Sequence, residues 1–214
     1  MVKHIIFDCD GVLIDSEIVA AEVLSKWLGV QGYPIDVDDF ISHFTGKTFT
    51  DIIEILKSEG RLTHELNIKK EVLALDKLIQ SHIRPIEGVN EMLEQLELPI
   101  SAVSNSSKAY VEHALDLLNV SHLFVDKIFS AEMVSAAKPS PLVYELALKT
   151  LQLHPNEVIV VEDSKAGAQA AIAAGLTVIG FLGGSHIRKG HKEQLERLGV
   201  RMFAKNHKTL TKLL

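Results

Sequence analysis

The sequence holds a single cysteine, Cys9, so no internal disulfide can form, and the expected setting is a reducing compartment, the cytoplasm. No apolar run reaches the length needed to cross a bilayer. No secretory pattern is expected at the start, because Asp8 and Asp10 interrupt the first apolar run too early. Basic residues do not dominate. The 22 Lys plus Arg face 28 Asp plus Glu, a formal charge of −6, which disfavours non-specific nucleic-acid binding. No internal repeat and no low-complexity segment occurs. From Ser16 to about Ile83 there is also no convincing strand.

What is present suffices for a full core. Hydrophobic residues make up 47% of 214, a length that suits one α/β domain with a modest insertion. Strand-like segments fall at His4–Phe7, Pro99–Val103, Lys127–Phe129, Val158–Val161 and Thr177–Gly180. Helical patterns lie between them, as at Lys108–Leu118, Leu142–Leu151 and Ala166–Ala174. Strands alternating with helices predict a doubly wound, mostly parallel sheet covered on both faces. The strandless stretch instead repeats apolar residues at helical spacing, as in Ile52, Ile53, Ile55 and Leu56, then Leu73, Leu75, Leu78 and Ile79. It reads as a helical insertion over 16–83, with the sheet domain formed by 1–15 and 84–214. Trp27, Phe40 and Phe44 read as the core of that insertion.

The run Phe7-Asp8-Cys9-Asp10-Gly11-Val12-Leu13 carries the chemistry. Two carboxylates sit where an apolar, β-branched strand ends, and charge there is costly unless something pairs with it. A magnesium ion suits such oxygen donors. One acid can then act as nucleophile while the other moves protons. Three further polar sites follow predicted elements: Ser104-Asn105-Ser106, Lys138-Pro139 and Glu162-Asp163-Ser164. In an open parallel sheet such sites converge at the carboxyl ends of the strands.

The order Asp8-x-Asp10-Gly11-Val12 with Asp15-Ser16, then Ser104, then Lys138-Pro139-Ser140-Pro141, then Glu162-Asp163-Ser164-x-Ala166-Gly167 resembles the haloacid dehalogenase-like hydrolase superfamily. The resemblance covers nearly the whole chain. It is closest to the subfamily with a helical cap inserted after the first motif, which includes sugar-phosphate phosphatases, phosphoglycolate phosphatases and β-phosphoglucomutases. It implies a Rossmann-like core and a Mg²⁺-dependent phosphatase working through an aspartyl-phosphate. Asp8 would be the nucleophile. Asp10 would protonate the leaving alcohol, then activate water, and lend its backbone carbonyl to the metal. Ser104 would bind the phosphoryl oxygens, helped by the turn at Asn105 and Ser106 and by a helix starting near Ser107. Lys138 would neutralise Asp8 and the transferring group. Asp163 would bind the metal directly, and Glu162 directly or through water.

Selectivity is expected from the cap, where Gly46-Lys47-Thr48 forms a break and Lys47 is a candidate grip on the substrate's far end. The segment 183–191, with its glycines, histidines and basic residues, reads as a mobile surface loop or as a site for an anion. Cys9 reads as a small buried apolar side chain. Two departures argue against a mutase: Ala20 stands where the mutases carry a hinge histidine, and Phe49 near where they carry an arginine. Asp10 argues against metal-independent dehalogenation. A phospho-receiver domain, the reading from another class, lacks the helical insertion. The expected partner is a small phosphorylated metabolite, with no nucleic acid and no membrane, and the chain is expected to be a monomer or weak homodimer.

Overall fold

The computed structural model describes residues 1–44, 47–62, 66–124 and 126–214. They form two compact units, Met1–Asp15 with Pro85–Leu214, and Ser16–Arg84. Among them no helix is long and apolar enough to cross a membrane.

The first unit is built on six strands: β1 (His4–Phe7), β2 (Ile100–Ser104), β3 (Ile128–Ser130), β4 (Val158–Glu162), β5 (Thr177–Phe181) and β6 (Met202–Ala204). All pair in parallel, in the order β3-β2-β1-β4-β5-β6. The first strand of the chain is therefore central. Ile5 faces Ile100 on one side and Ile159 on the other. A strand covered on both faces has no reason to alternate in polarity, which is why it reads as an unbroken apolar run. Ile5, Ile6 and Phe7 are fully buried, each worth about 1.5–3 kcal/mol over exposure. His4 is buried too, and its Nε2 meets the Ser101 hydroxyl of β2 at 3.0 Å.

The strands were legible except at the edge of the sheet. β6 is three residues long, too short for a pattern to show, and pairs Met202, Phe203 and Ala204 with Ile179, Gly180 and Phe181. A short final helix, His207–Thr211, ties the end of the chain to its beginning. His207 is fully buried, with Nδ1 3.0 Å from the carbonyl of Glu87 and Nε2 2.9 Å from that of Val12.

The second unit contains the helices α1 (Ser16–Val30), α2 (Val37–Phe44), α3 (Phe49–Ser58) and α4 (Ile68–His82). Its core joins Leu28, Phe40, Ile41, Phe44, Ile52, Ile53, Leu56 and Leu62, with Trp27 and Phe49 against it. Trp27 and Phe49 meet edge to face at 5.1 Å, and the indole N–H donates to Glu71 at 2.9 Å. Thr48 caps α3 reciprocally: its hydroxyl accepts from the Asp51 N–H while the Asp51 carboxylate accepts from the Thr48 N–H. Of the expected break, Lys47 is exposed and Thr48 is this cap, while Gly46 lies outside the described residues.

Candidate active site

The sheet order places a switch point at β1, whose two neighbours are reached by chains running in opposite directions from it. Ligands bind there, beyond the carboxyl ends of the strands. Asp8 follows β1, Ser104 ends β2, and Glu162 and Asp163 lie at the end of β4. Asp8 is anchored by its own N–H, which donates to Val161 of β4 at 2.9 Å. Gly11, at φ +76°, then turns the chain so that its N–H meets the Ile14 carbonyl at 2.8 Å. A side chain is excluded at Gly11 for a second reason: a Cβ there would lie 2.0 Å from Asp163 Oδ2.

Lys138 is the hub. Its Nζ donates to Asp8 Oδ1 at 2.6 Å, Glu162 Oε1 at 2.7 Å and the Val103 carbonyl at 2.9 Å, which uses all three of its protons. Glu162 is fully buried and well held. Oε1 also accepts from the Tyr144 hydroxyl at 3.1 Å, and Oε2 from the Ser164 N–H and hydroxyl at 3.1 and 3.0 Å. This packing needs Gly167, where a Cβ would fall 1.6 Å from Glu162 Oε1.

Burial, and then Glu162, push the Asp8 carboxyl well above the usual carboxylate range, with Lys138 pulling the other way. Burial works against the Lys138 ammonium, but Asp8 and Glu162 hold it well above an ordinary lysine. Asp163 and Asp10 stand close enough to push Asp8 up further, so four carboxylates gather where one ammonium pairs with two of them. Asp8, Glu162 and Asp163 each offer an oxygen within 4.8 Å of the others. A hard, oxygen-only donor set with excess negative charge fits Mg²⁺. Because both Glu162 oxygens already carry two hydrogen bonds each, Asp8 and Asp163 are the carboxylates best placed for the ion.

Asp10 Oδ2 accepts from the hydroxyls of Ser104 and Ser106, at 3.2 and 2.8 Å. Ser104 in turn accepts from the Ser106 N–H at 2.9 Å. The helix expected near Ser107 runs Lys108–Leu117, with Ser107 as its own cap, so Ser104 is left to the site. Asn105 does something the sequence did not suggest. Its amide accepts from the Lys138 N–H at 2.9 Å and donates to the Lys138 carbonyl at 3.2 Å, bracing the lysine's backbone. Cys9 is buried, and burial pushes its thiol well up, which removes it as a nucleophile.

The segment 183–191 is the largest surprise. His186 is buried and its Nε2 lies 3.0 Å from Asp163 Oδ2. His191 Nε2 donates to the Asp163 carbonyl at 2.6 Å. Its glycines and basic residues suggested a surface loop. Only its spacing after β5, on the site's side of the sheet, pointed here.

Residues 5–181 match the family described as haloacid dehalogenase-like hydrolase. A 6-phosphogluconate phosphatase of Escherichia coli is 30% identical over 187 residues, 86% of this chain and 85% of that protein. A haloacid dehalogenase-like protein of unknown function from Agrobacterium tumefaciens superposes with a TM-score of 0.89 at 33% identity, covering 100% of this chain and 97% of that one. A family hydrolase from Deinococcus radiodurans, solved with bound phosphate and sodium, gives 0.86 at 27% identity over 98% and 93%. The chain belongs to the haloacid dehalogenase-like hydrolases. Within that family it is an enzyme of the phosphoric monoester hydrolase class.

Proposed function

We propose that this enzyme is a Mg²⁺-dependent phosphatase of small phosphorylated sugars or sugar acids, and that it works through an aspartyl-phosphate on Asp8. The observation that carries this is the Asp8 carboxylate, at the end of the central strand, paired at 2.6 Å with a buried ammonium and flanked by a second set of acids. The E. coli relative's name, a 6-phosphogluconate phosphatase, supports the substrate class. The single buried cysteine suits a cytoplasmic setting.

Asp8 and Asp163, with the Asp10 carbonyl, would hold the ion, which supplies the positive charge that keeps Asp8 ionised as a phosphate dianion approaches. Asp8 attacks phosphorus in line with the ester oxygen. Ser104, Ser106 and Lys138 steady the charge on the phosphoryl oxygens. Asp10 gives a proton to the departing alcohol, then takes one from the water that cleaves the acyl phosphate. Leaving the two serines is part of that role, since both hydroxyls hold Asp10 in this structure. Glu162 and Tyr144 keep Lys138 aimed at Asp8, and Asn105 fixes its backbone. Residues 16–84 serve as the cap domain, with Lys47 gripping the substrate's far end. A mutase is the alternative, and Ala20 and Phe49 speak against it.

Purified protein with Mg²⁺ should release phosphate from an aryl phosphate and lose that activity in EDTA. Undiminished turnover in chelator would overturn the metal assignment.

A further inference from the structure

The polar groups around Asp163 come from an unexpected place. Two histidines of one segment hold the same residue at two points, His186 at the side chain and His191 at the backbone carbonyl. Their rings stand nearly perpendicular, 6.1 Å apart. The His186 ring fills space that glycine alone leaves open. A Cβ on Gly11 would lie 3.0 Å from its Cε1, and one on Gly184 would lie 2.8 Å from its Cε1 and Nδ1. The segment is itself pinned. Ser185 donates its N–H to Asp15 Oδ1 at 2.9 Å, and its hydroxyl bonds the other oxygen of the same buried carboxylate.

We infer that His186 is a positioning residue for the metal site: it fixes the Asp163 carboxylate, with His191 fixing the backbone beneath it, so that Asp163 presents its oxygen to the ion already oriented. This rests on the reading of Asp163 as a metal ligand. The physical reason is general. A carboxylate free to rotate must be ordered when the cation arrives, and a hydrogen bond made beforehand removes that cost. Partners behind metal ligands are typically worth about 10–100-fold in metal affinity. Asp15 extends the chain of contacts one step further. Through Ser185 it holds the segment against the same loop that begins at Asp8, so ligand, histidine and nucleophile loop share one frame.

The test is direct Mn²⁺ binding to metal-free protein, followed by the EPR signal of free Mn²⁺, with folding checked by far-UV circular dichroism and urea unfolding. His186→Ala should weaken binding about 10–100-fold while the protein stays folded. His186→Gln, which places an N–H donor near the former Nε2, should recover most of it, a rescue that a merely space-filling role would not show. Wild-type binding in the alanine variant, or no recovery in a folded glutamine variant, would overturn the inference. If His186→Ala does not fold, Ser185→Ala decides. It removes the hydroxyl half of the Asp15 anchor and leaves the N–H half, and a loss of affinity supports the inference while unchanged affinity ends it. Asp163→Asn separates the two levels. If that variant binds Mn²⁺ like the wild type, the metal reading itself fails; if it loses binding while His186→Ala does not, only the role of His186 falls.

Discussion

Among the described residues of the helical unit, the buried polar side chains are Ser16 and Ser25, whereas the sheet unit buries Asp8, Asp15, Lys138, Glu162, Asp163 and three histidines. Both units have an apolar core of ordinary make-up. The helical one carries no buried charge among its described residues. The charged interior of the other carries a cost of its own. Burying each ion carries a penalty of several kcal/mol, and removing one partner of a buried pair typically costs about 3–5 kcal/mol. Asp8, Glu162 and Asp163 lie at the ends of the adjacent parallel strands β1 and β4, where the proposed chemistry would use them.

Four measurements would break or sharpen this contrast. The largest effect belongs to Asp8→Asn, which should reduce phosphate release to background and prevent any labelled phosphoenzyme; near-wild-type turnover, or label on another residue, would refute the assignment. Next comes Leu56→Ala in the helical unit. Its side chain is fully buried, so urea unfolding should show a loss of about 2–5 kcal/mol, while turnover of an aryl phosphate per folded molecule changes far less. An equal fall in that turnover would show that the helical core also shapes the chemistry.

The third measurement is acid titration of stability. Burial, and then Lys127, lower the pKa of His4 to about 4, against about 6.5 for a free histidine. The fold prefers the neutral ring, so its contribution is whole above about pH 6.5 and is lost as pH falls towards 4. Burial also lowers His191 and His207, which act in the same direction. Urea midpoints should therefore drop between pH 7 and pH 4.5, and His4→Gln should flatten part of that drop. A slope unchanged by the substitution would remove His4 from the account. The smallest effect is expected of Lys47→Ala, which should raise KM for a phosphorylated sugar more than for an aryl phosphate. Equal effects would return Lys47 to plain surface.

How much of this was legible follows the same division. Asp8, Asp10, Ser104 and Asp163 sit in short motifs at or just past the ends of strands whose buried runs are easily read, while Lys138 stands in a Lys-Pro motif just before the helix Leu142–Leu151. In the helical unit only the 3.6-residue period was visible, which gives the helices but no chemistry. The partners of Asn105 and Glu162 were hidden because a hydrogen bond between residues 33 or 24 positions apart leaves no local pattern. His186 was hidden for another reason. Glycines and charges around it resemble solvated loop, and only the space beside Gly11 and Gly184 shows that its ring is enclosed.

The clamp of His207 on the Val12 carbonyl has a consequence for how the molecule is made. The loop that carries Asp8 is made well before the strands that flank its own strand, which begin at residues 100 and 158. The histidine that closes over the loop comes 195 residues after Val12. At about 5–20 residues per second, translation leaves that loop waiting roughly 10–40 s for its last support. Residues 16–84, continuous in sequence, are complete long before. The loop that carries Asp8 thus gains its last support only after residue 207 has been made.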